Sequence, residues 1–267
     1  MKIKVIKIGG KLIENAEILA SLCDHLASLG EAFVLVHGGG VMGSQLATKL
    51  GVEVKMHEGR RITDAATLDI AVMAYAGLAN KRVVAALQAR GVNACGLSGC
   101  DMAVVKSHRR PVKDIDWGFV GDVDEVNADV LSLLLDNGAI PVVSPITFSP
   151  EGDLLNTNAD SVASAVAMGL ATKYEVELVF TLDKAGVLLD VNDDISSFAK
   201  SCTEFLSTIF TNQVLSHMSE MALNLVLHAK LDSMFGVFVE MQKSLRIVGI
   251  GEKYADLVIT VNDGLED

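Results

Sequence analysis

Basic residues are scarce in this 267-residue chain: 22 Lys and Arg stand against 34 Asp and Glu, for a formal charge of -12. Such a surface repels nucleic-acid backbones, so a bound phosphate must be held locally, by a few well-placed groups. Cysteine is scarce as well. Cys23, Cys95, Cys100 and Cys202 have no C-x-x-C spacing and no paired histidines, which argues against a disulfide framework and a metal site. They read as small, mostly buried hydrophobes in a reducing compartment. The amino terminus runs directly into a strand in place of a signal peptide, and Gly, Asp, Asn or Lys interrupts the apolar runs before membrane-spanning length. A cytoplasmic protein with neither a nucleic-acid nor a membrane partner is expected. Low-complexity linkers and tandem repeats are missing too, so the chain reads as one large domain or two closely joined lobes.

What is present begins with the first turn. Val5-Ile6-Lys7-Ile8 is an apolar strand with a cation inside it, ending in Gly9-Gly10. A Gly-Gly turn opening onto a helix frees backbone N–H groups for an anion, and Lys7 adds a point charge; an ordinary strand entry with an incidental lysine would read the same. Residues 11–29 carry Ile18, Leu19, Leu22 and Leu26 at helical spacing, and Gly30 closes them as a C-cap. The pattern then repeats. Phe33-Val34-Leu35-Val36 is a continuous apolar run, closing on His37-Gly38-Gly39-Gly40 before a helix with Met42, Leu46 and Leu50. Two strand, glycine turn, helix units place both turns at the carboxyl ends of strands, where open α/β sheets bind ligands.

Gly38, Gly40 and Gly43 formally satisfy G-x-G-x-x-G, but after the second strand, and the acid at the expected offset, Glu58, lies in a Lys-His-Glu-Gly-Arg loop; a dinucleotide turn is disfavoured. Residues 63–90 form a long helical stretch, capped by Thr63 or Asp64 and divided near Gly77, with apolar residues on more than one side. It is a candidate subunit interface, or simply core. Short β-prone pieces around Val104-Val105 and Phe119-Val120 flank a basic loop over 106–113, either a guard for an anionic substrate or a solvated hairpin tip. A strand follows over 139–144, a helix from Asn156-Thr157-Asn158-Ala159-Asp160 to about Leu170, a strand over 178–181 and a last strand over 257–260.

Seven pieces carry a resemblance: Ile6-Lys7-Ile8-Gly9-Gly10, Val36-His37-Gly38-Gly39-Gly40, Gly59-Arg60-Arg61-Ile62-Thr63, Asn80-Lys81, Gly118-Phe119-Val120-Gly121-Asp122-Val123, Asn156-Thr157-Asn158-Ala159-Asp160 and Lys230-Leu231-Asp232. Their order and spacing resemble the amino acid kinase family, and within it the members acting on an N-acylated glutamate. The resemblance implies a three-layer α/β/α sandwich with a mainly parallel sheet. It implies two lobes sharing that sheet, 1–174 for the acyl-glutamate and dimerisation and 175–267 for the nucleotide. It implies phosphoryl transfer from ATP, with Mg²⁺ carried on its phosphates, to the substrate's side-chain carboxylate in arginine biosynthesis. An ionised carboxylate needs no general base, so alignment and charge neutralisation are the main tasks. Carried over residue by residue, Lys7 and Lys230 stabilise the transition state and Asp160 holds them in position. Gly39, Gly40, Arg61 and Asn156 bind the substrate, while the adjacent Arg60 reads as a surface charge. Gly9 and Gly10 meet the phosphates, and Asp183 and Gly186 face the nucleotide.

The departures lie late in the chain. The family presents its second lysine from a G-G-M-x-P-K turn; here the aligned residues are Leu225-Val226-Leu227-His228-Ala229-Lys230, and 218–231 reads as one helix. Leu and Val cannot replace turn glycines cheaply. A catalytically weak relative that still binds acyl-glutamate therefore stands as the alternative, with aspartate, glutamate, carbamate and UMP as rival acceptors and acetyl or succinyl as rival acyl groups. The start at the first strand, without the helix that accompanies arginine-inhibited hexamers in the family, predicts a homodimer.

Overall fold

The computed structural model describes residues 1–181, together with the backbone of 245–249 and 255–261. Strand β1 (Lys2–Ile8) turns at Gly9 into a short helix α1 (Gly10–Glu14) and then α2 (Ala16–Ser28). The single helix expected over 11–29 is two. The Asn15 side chain accepts from the N–H groups of Glu17 and Ile18, at 3.0 and 3.1 Å, and so starts a new helix. Strand β2 (Phe33–His37), buried along its length, passes through Gly38-Gly39 into α3 (Gly40–Leu50). A hairpin of β3 (Lys55–His57) and β4 (Arg60–Ile62) follows. Its turn residues Glu58 and Gly59 have φ of +46° and +75°, the mirror-image turn whose twist suits a hairpin.

The long helix spans Ala65–Gln88 as α4 (Ala65–Ala71), a π-helical segment (Val72–Ala79) and α5 (Asn80–Gln88). Asp64 is its cap, accepting from the Thr67 N–H at 2.8 Å, and the π segment brackets Gly77, where a division was expected. Then come β5 (Ala94–Leu97), β6 (Val105–Arg109), β7 (Val120–Val126), α6 (Ala128–Asp136), β8 (Ile140–Val143), β9 (Ile146–Phe148), β10 (Leu154–Thr157), α7 (Ala159–Ala171) and β11 (Glu175–Thr181). Strands β12 (Leu245–Gly249) and β13 (Ala255–Val261) complete the described elements.

The main sheet has the order β12-β13-β11-β1-β2-β8-β5. Strands β11, β1, β2, β8 and β5 are parallel; β13 is antiparallel to β11, and β12 to β13. Strand β1 lies between β2 and β11 among the parallel strands, and open α/β sheets bind ligands beyond the carboxyl ends of such strands. Each face of the sheet has its own core. Ile3, Val5, Val34, Val36, Leu178 and Phe180 pack with Leu131 of α6 and Val162 and Val166 of α7. Ile6, Ile8, Phe33 and Leu35 pack on the other side with Leu19 and Cys23 of α2, Met42 of α3 and Ala71, Tyr75, Val83 and Leu87 of the long helix.

The period-two alternation of a strand then allots the polar residues. Lys7 shares the face of Ile3 and Val5, under α7. His37 shares the face of Phe33 and Leu35, under the long helix. A second, small sheet, unforeseen in the sequence, closes as a barrel in the order β10-β7-β6-β9, with the expected 103–123 hairpin forming its β6–β7 pair. Inside it the Thr147 and Thr157 hydroxyls meet at 2.7 Å.

Two expectations are amended. Ala65–Gln88 is long and apolar enough to cross a membrane by length and composition, yet its apolar face is part of the sheet's core, as in the core helix of a globular fold. Cys23 is buried, with burial pushing its thiol pKa up, and Cys95 is half-buried, but Cys100 is exposed; Cys202 lies outside the described residues.

Candidate active site

The carboxyl ends of β1 and β2 lie side by side, Ile8 paired with His37, so the two glycine turns face each other. Gly38 N–H donates to the Ile8 carbonyl at 3.0 Å. A Cβ on Gly10 would stand 3.1 Å from the Gly39 nitrogen and 3.4 Å from that of Gly40, which would wedge the turns apart. At Gly9 and Gly40 a Cβ would meet nothing within 4 Å; these two border open space. Gly39 is a glycine for a different reason: its Cβ would enter the Tyr75 ring, 2.4 Å from Cδ1.

A cleft of about 460 Å³ opens from the second turn. Its walls are α3, the β3–β4 hairpin, the rim of the barrel and the start of α7, with Tyr75 at its side. Arg61, on β4, reaches back to α3: Nη2 donates to the Gly40 carbonyl at 3.0 Å and to Ser44 Oγ at 2.8 Å. Its Nη1 is buried without a hydrogen-bond partner. An unpartnered buried guanidinium nitrogen is costly, and a planar anion such as a carboxylate would satisfy it. Burial raises the pKa of the Tyr75 phenol, and the charge of Arg61 opposes the rise. Arg60 is exposed, as the surface-charge reading expected, and also borders the cleft. Asn156, on β10, borders the same space and is oriented by its Nδ2 donating to Thr63 Oγ1 at 3.0 Å.

Asn158 caps α7, its side chain accepting from the N–H groups of Asp160 and Ser161 at 2.8 and 3.1 Å. Asp160 is thereby left for another purpose. Its Oδ1 lies 2.8 Å from Lys7 Nζ, with the lysine 17% and the aspartate 28% exposed. Asp160 itself is not part of the cleft lining, but Ala159 and Ser161 on either side of it are.

Of the basic loop, Arg110 forms part of the cleft wall, but its charge is balanced. It holds Asp122 bidentately, Nη2 to Oδ1 at 2.6 Å and Nε to Oδ2 at 3.1 Å, with its Cζ 5.7 Å from the Trp117 ring centroid. His108 pairs with Asp124, and Arg109 donates to the Gly118 carbonyl. The structure thus brings together Lys7 with Asp160, Gly9 and Gly10 with Gly39 and Gly40, and Arg61 with Asn156. Lys230, Asp183 and Gly186 lie outside the described residues, as does the helix expected over 218–231. Ser44, Tyr75 and Trp117 escaped sequence reasoning. Ser44 stands one helical turn after Gly40, and Gly39 and Gly43 both make room for Tyr75, a spacing that hints at a ring only once the long helix is known to cross α3.

Comparison with known proteins agrees with this outline. The model of the amino acid kinase family matches residues 2–201. The acetylglutamate kinase of Parabacteroides distasonis is 52% identical over 195 residues, 73% of this chain and 76% of its own length. That of Methanopyrus kandleri is 40% identical over 194 residues, 71% of this chain and 75% of its own. A crystal structure from Streptococcus mutans superposes with a TM-score of 0.61 at 32% identity, covering 70% of this chain and 74% of that one. N-acetylglutamate synthase from Neisseria gonorrhoeae, crystallised with coenzyme A and N-acetyl-glutamate, shares the fold with a TM-score of 0.61 at 23% identity, over 78% of this chain and 48% of its own.

Proposed function

This chain belongs to the amino acid kinase family, and from that footing we propose that it transfers the terminal phosphoryl group of ATP to the side-chain carboxylate of N-acetyl-L-glutamate, an acyl-phosphate-forming step of arginine biosynthesis. The observation that carries the reading is Arg61: it lines the cleft, two hydrogen bonds fix its guanidinium, and one buried nitrogen is left unpaired. That is a dock for the substrate's α-carboxylate, with Asn156 beside it for a further hydrogen bond. The acceptor carboxylate then lies toward the facing glycine turns.

ATP supplies the phosphoryl group. The two turns pack so closely that a Cβ at Gly10 would force them apart, and N–H groups from both are the donors we assign to its terminal phosphate. Asp160 holds Lys7 Nζ at the end of β1, where the cation neutralises charge on the phosphoryl oxygens. The acceptor is already ionised, so no residue has to take a proton from it. Mg²⁺ comes with the nucleotide phosphates; among the described residues no three His, Cys, Asp or Glu side chains converge to hold a metal. Lys230 is the second cation, and Asp183 and Gly186 meet the nucleotide from the lobe 175–267, with 1–174 as the acyl-glutamate lobe. The enzyme works in the cytoplasm, which fractionation would check.

Dimerisation is assigned to the long helix, where Met73 and Leu78 remain 48% and 45% exposed. The function is tested by ATP consumption coupled to N-acetylglutamate, with ligand binding measured in parallel. Turnover that requires both substrates is expected. Binding without turnover would favour the catalytically weak relative, and turnover with aspartate, carbamate or UMP in its place would reassign the acceptor.

A further inference from the structure

His37 ends β2 directly beneath the second glycine turn, fully buried, and no step of the proposed transfer uses it. Its Nδ1 lies 2.9 Å from the Gly38 carbonyl oxygen, and its Nε2 lies 3.1 Å from Asn80 Nδ2. The polarity of this chain of hydrogen bonds can be worked out from its far end. Lys81 Nζ, which can only donate, sits 3.1 Å from Asn80 Oδ1. The Val142 carbonyl, which can only accept, sits 2.9 Å from Asn80 Nδ2. The amide orientation of Asn80 is therefore fixed from both sides, and what it offers to His37 is an N–H. Nε2 must accept it, so the ring proton resides on Nδ1 and is donated to the Gly38 carbonyl. Gly96 keeps the space for this arrangement, since a Cβ there would stand 2.1 Å from Asn80 Oδ1 and 2.7 Å from Lys81 Nζ.

A carbonyl tied toward the core has a consequence across its own peptide bond. The peptide is planar and trans, so the Gly39 N–H points opposite to the Gly38 carbonyl. The Gly39 nitrogen is the atom that would lie 3.1 Å from a Gly10 Cβ, on the border between the two turns. We infer that Asn80 and His37 are positioning residues for phosphoryl transfer: Asn80 holds His37 in the Nδ1–H tautomer, and His37 holds the Gly38 carbonyl so that the Gly39 N–H is turned away from the core, toward the paired glycine turns to which the proposed function assigns the phosphoryl group. This rests on the kinase reading and deepens it. Burial keeps the ring neutral, its pKa depressed to about 4, so the tautomer persists throughout the neutral range.

The test combines spectroscopy with kinetics on the full chain. Long-range ¹H–¹⁵N correlation of the imidazoles, with the His37 signal assigned by its loss in His37→Asn, is expected to show a single Nδ1–H tautomer near pH 7. An Nε2–H tautomer, or a mixture, overturns the inference irrespective of activity. Kinetically, His37→Asn places an amide N–H close to the position of Nδ1, whereas His37→Gln and His37→Phe leave no donor there. Relative to wild type, Gln and Phe variants are expected to lose kcat by about 10- to 100-fold, with KM for both substrates within about threefold and the Asn variant recovering most of kcat. Equal kcat in all variants, or losses confined to KM, would overturn it. If His37→Phe does not fold, the Asn and Gln pair still makes the comparison. A wild-type chain without turnover sinks the kinase reading instead, and the tautomer measurement still decides the hydrogen-bond chain.

Discussion

Lys7 and Asp160 are each unremarkable in sequence, a cation in an apolar strand and an acid in the first turn of a helix. Alternation along β1 aims Lys7 at the α6–α7 face, and Asn158 takes over the capping of α7, which frees Asp160 to hold the lysine at 2.8 Å. Replacing Lys7 with Met should lower kcat by about 10²- to 10³-fold, the range for loss of one charge-stabilising donor. Asp160→Asn should cost less, since the cation remains but loses its anchor; steady-state kinetics at saturating ATP would rank the two. Arg61 acts at the other end of the substrate. Arg61→Lys keeps the charge but loses the fork, so KM for N-acetylglutamate should rise about tenfold or more while kcat changes little. A fall in kcat with unchanged KM would remove Arg61 from substrate binding.

Among the secondary-structure elements, α7 has the closest tie between local stability and the site. Its cap, Asn158, fixes the N–H groups of Asp160 and Ser161 and borders the cleft. Asn158→Ala should destabilise the fold by about 1 kcal/mol and also reduce kcat, because the first turn that positions Asp160 loosens. Asn15 is a natural control. It caps α2 with the same geometry, away from the cleft lining, so Asn15→Ala should cost a similar amount of stability at unchanged kcat. Thermal melts alongside initial rates separate the two. The long helix is the other telling element. Its π segment changes the helical phase between α4 and α5, allowing Tyr75 to pack against Gly39 and Gly43 while Asn80 reaches under β2.

For the molecule as a whole, the buried His37 couples stability to pH. Its pKa falls from 6.5 to about 4 on folding, through burial first and then the nearby Lys81 cation, with the Gly38 carbonyl opposing. Between these values the unfolded chain binds more protons than the folded one, so this contribution is intact above pH 6.5 and is lost as pH falls. The loss should reach about 3 kcal/mol near pH 4, and His37→Asn should flatten the slope of stability between pH 6.5 and 4 in urea titrations. Dimerisation is checked at the same level. Met73→Glu with Leu78→Glu should yield a monomer by sedimentation, and a dimer that survives both charges would move the interface elsewhere.

Much of this protein is a local matter and is legible in the chain. The apolar run of β2, the glycine turns, the Asp64 cap and the alternation in β1 arise from short-range sterics and hydrogen bonding, so their positions can be read to within a residue or two. Asn15 escapes such a reading because an asparagine inside an amphipathic pattern looks tolerable until its side chain is seen to cap. The barrel escapes it because its closure pairs short strands that are far apart in sequence and carry little periodicity. Residue chemistry likewise names Lys7, Asp160 and Arg61, but by resemblance. Their partners depend on register: which residue of β1 stands beside His37, which face α7 covers, and which nitrogen of Arg61 is left unpaired. Sequence determines what each segment prefers to be; only the packing of segments decides which polar groups share a buried space, because the penalty for an unsatisfied one is felt only there.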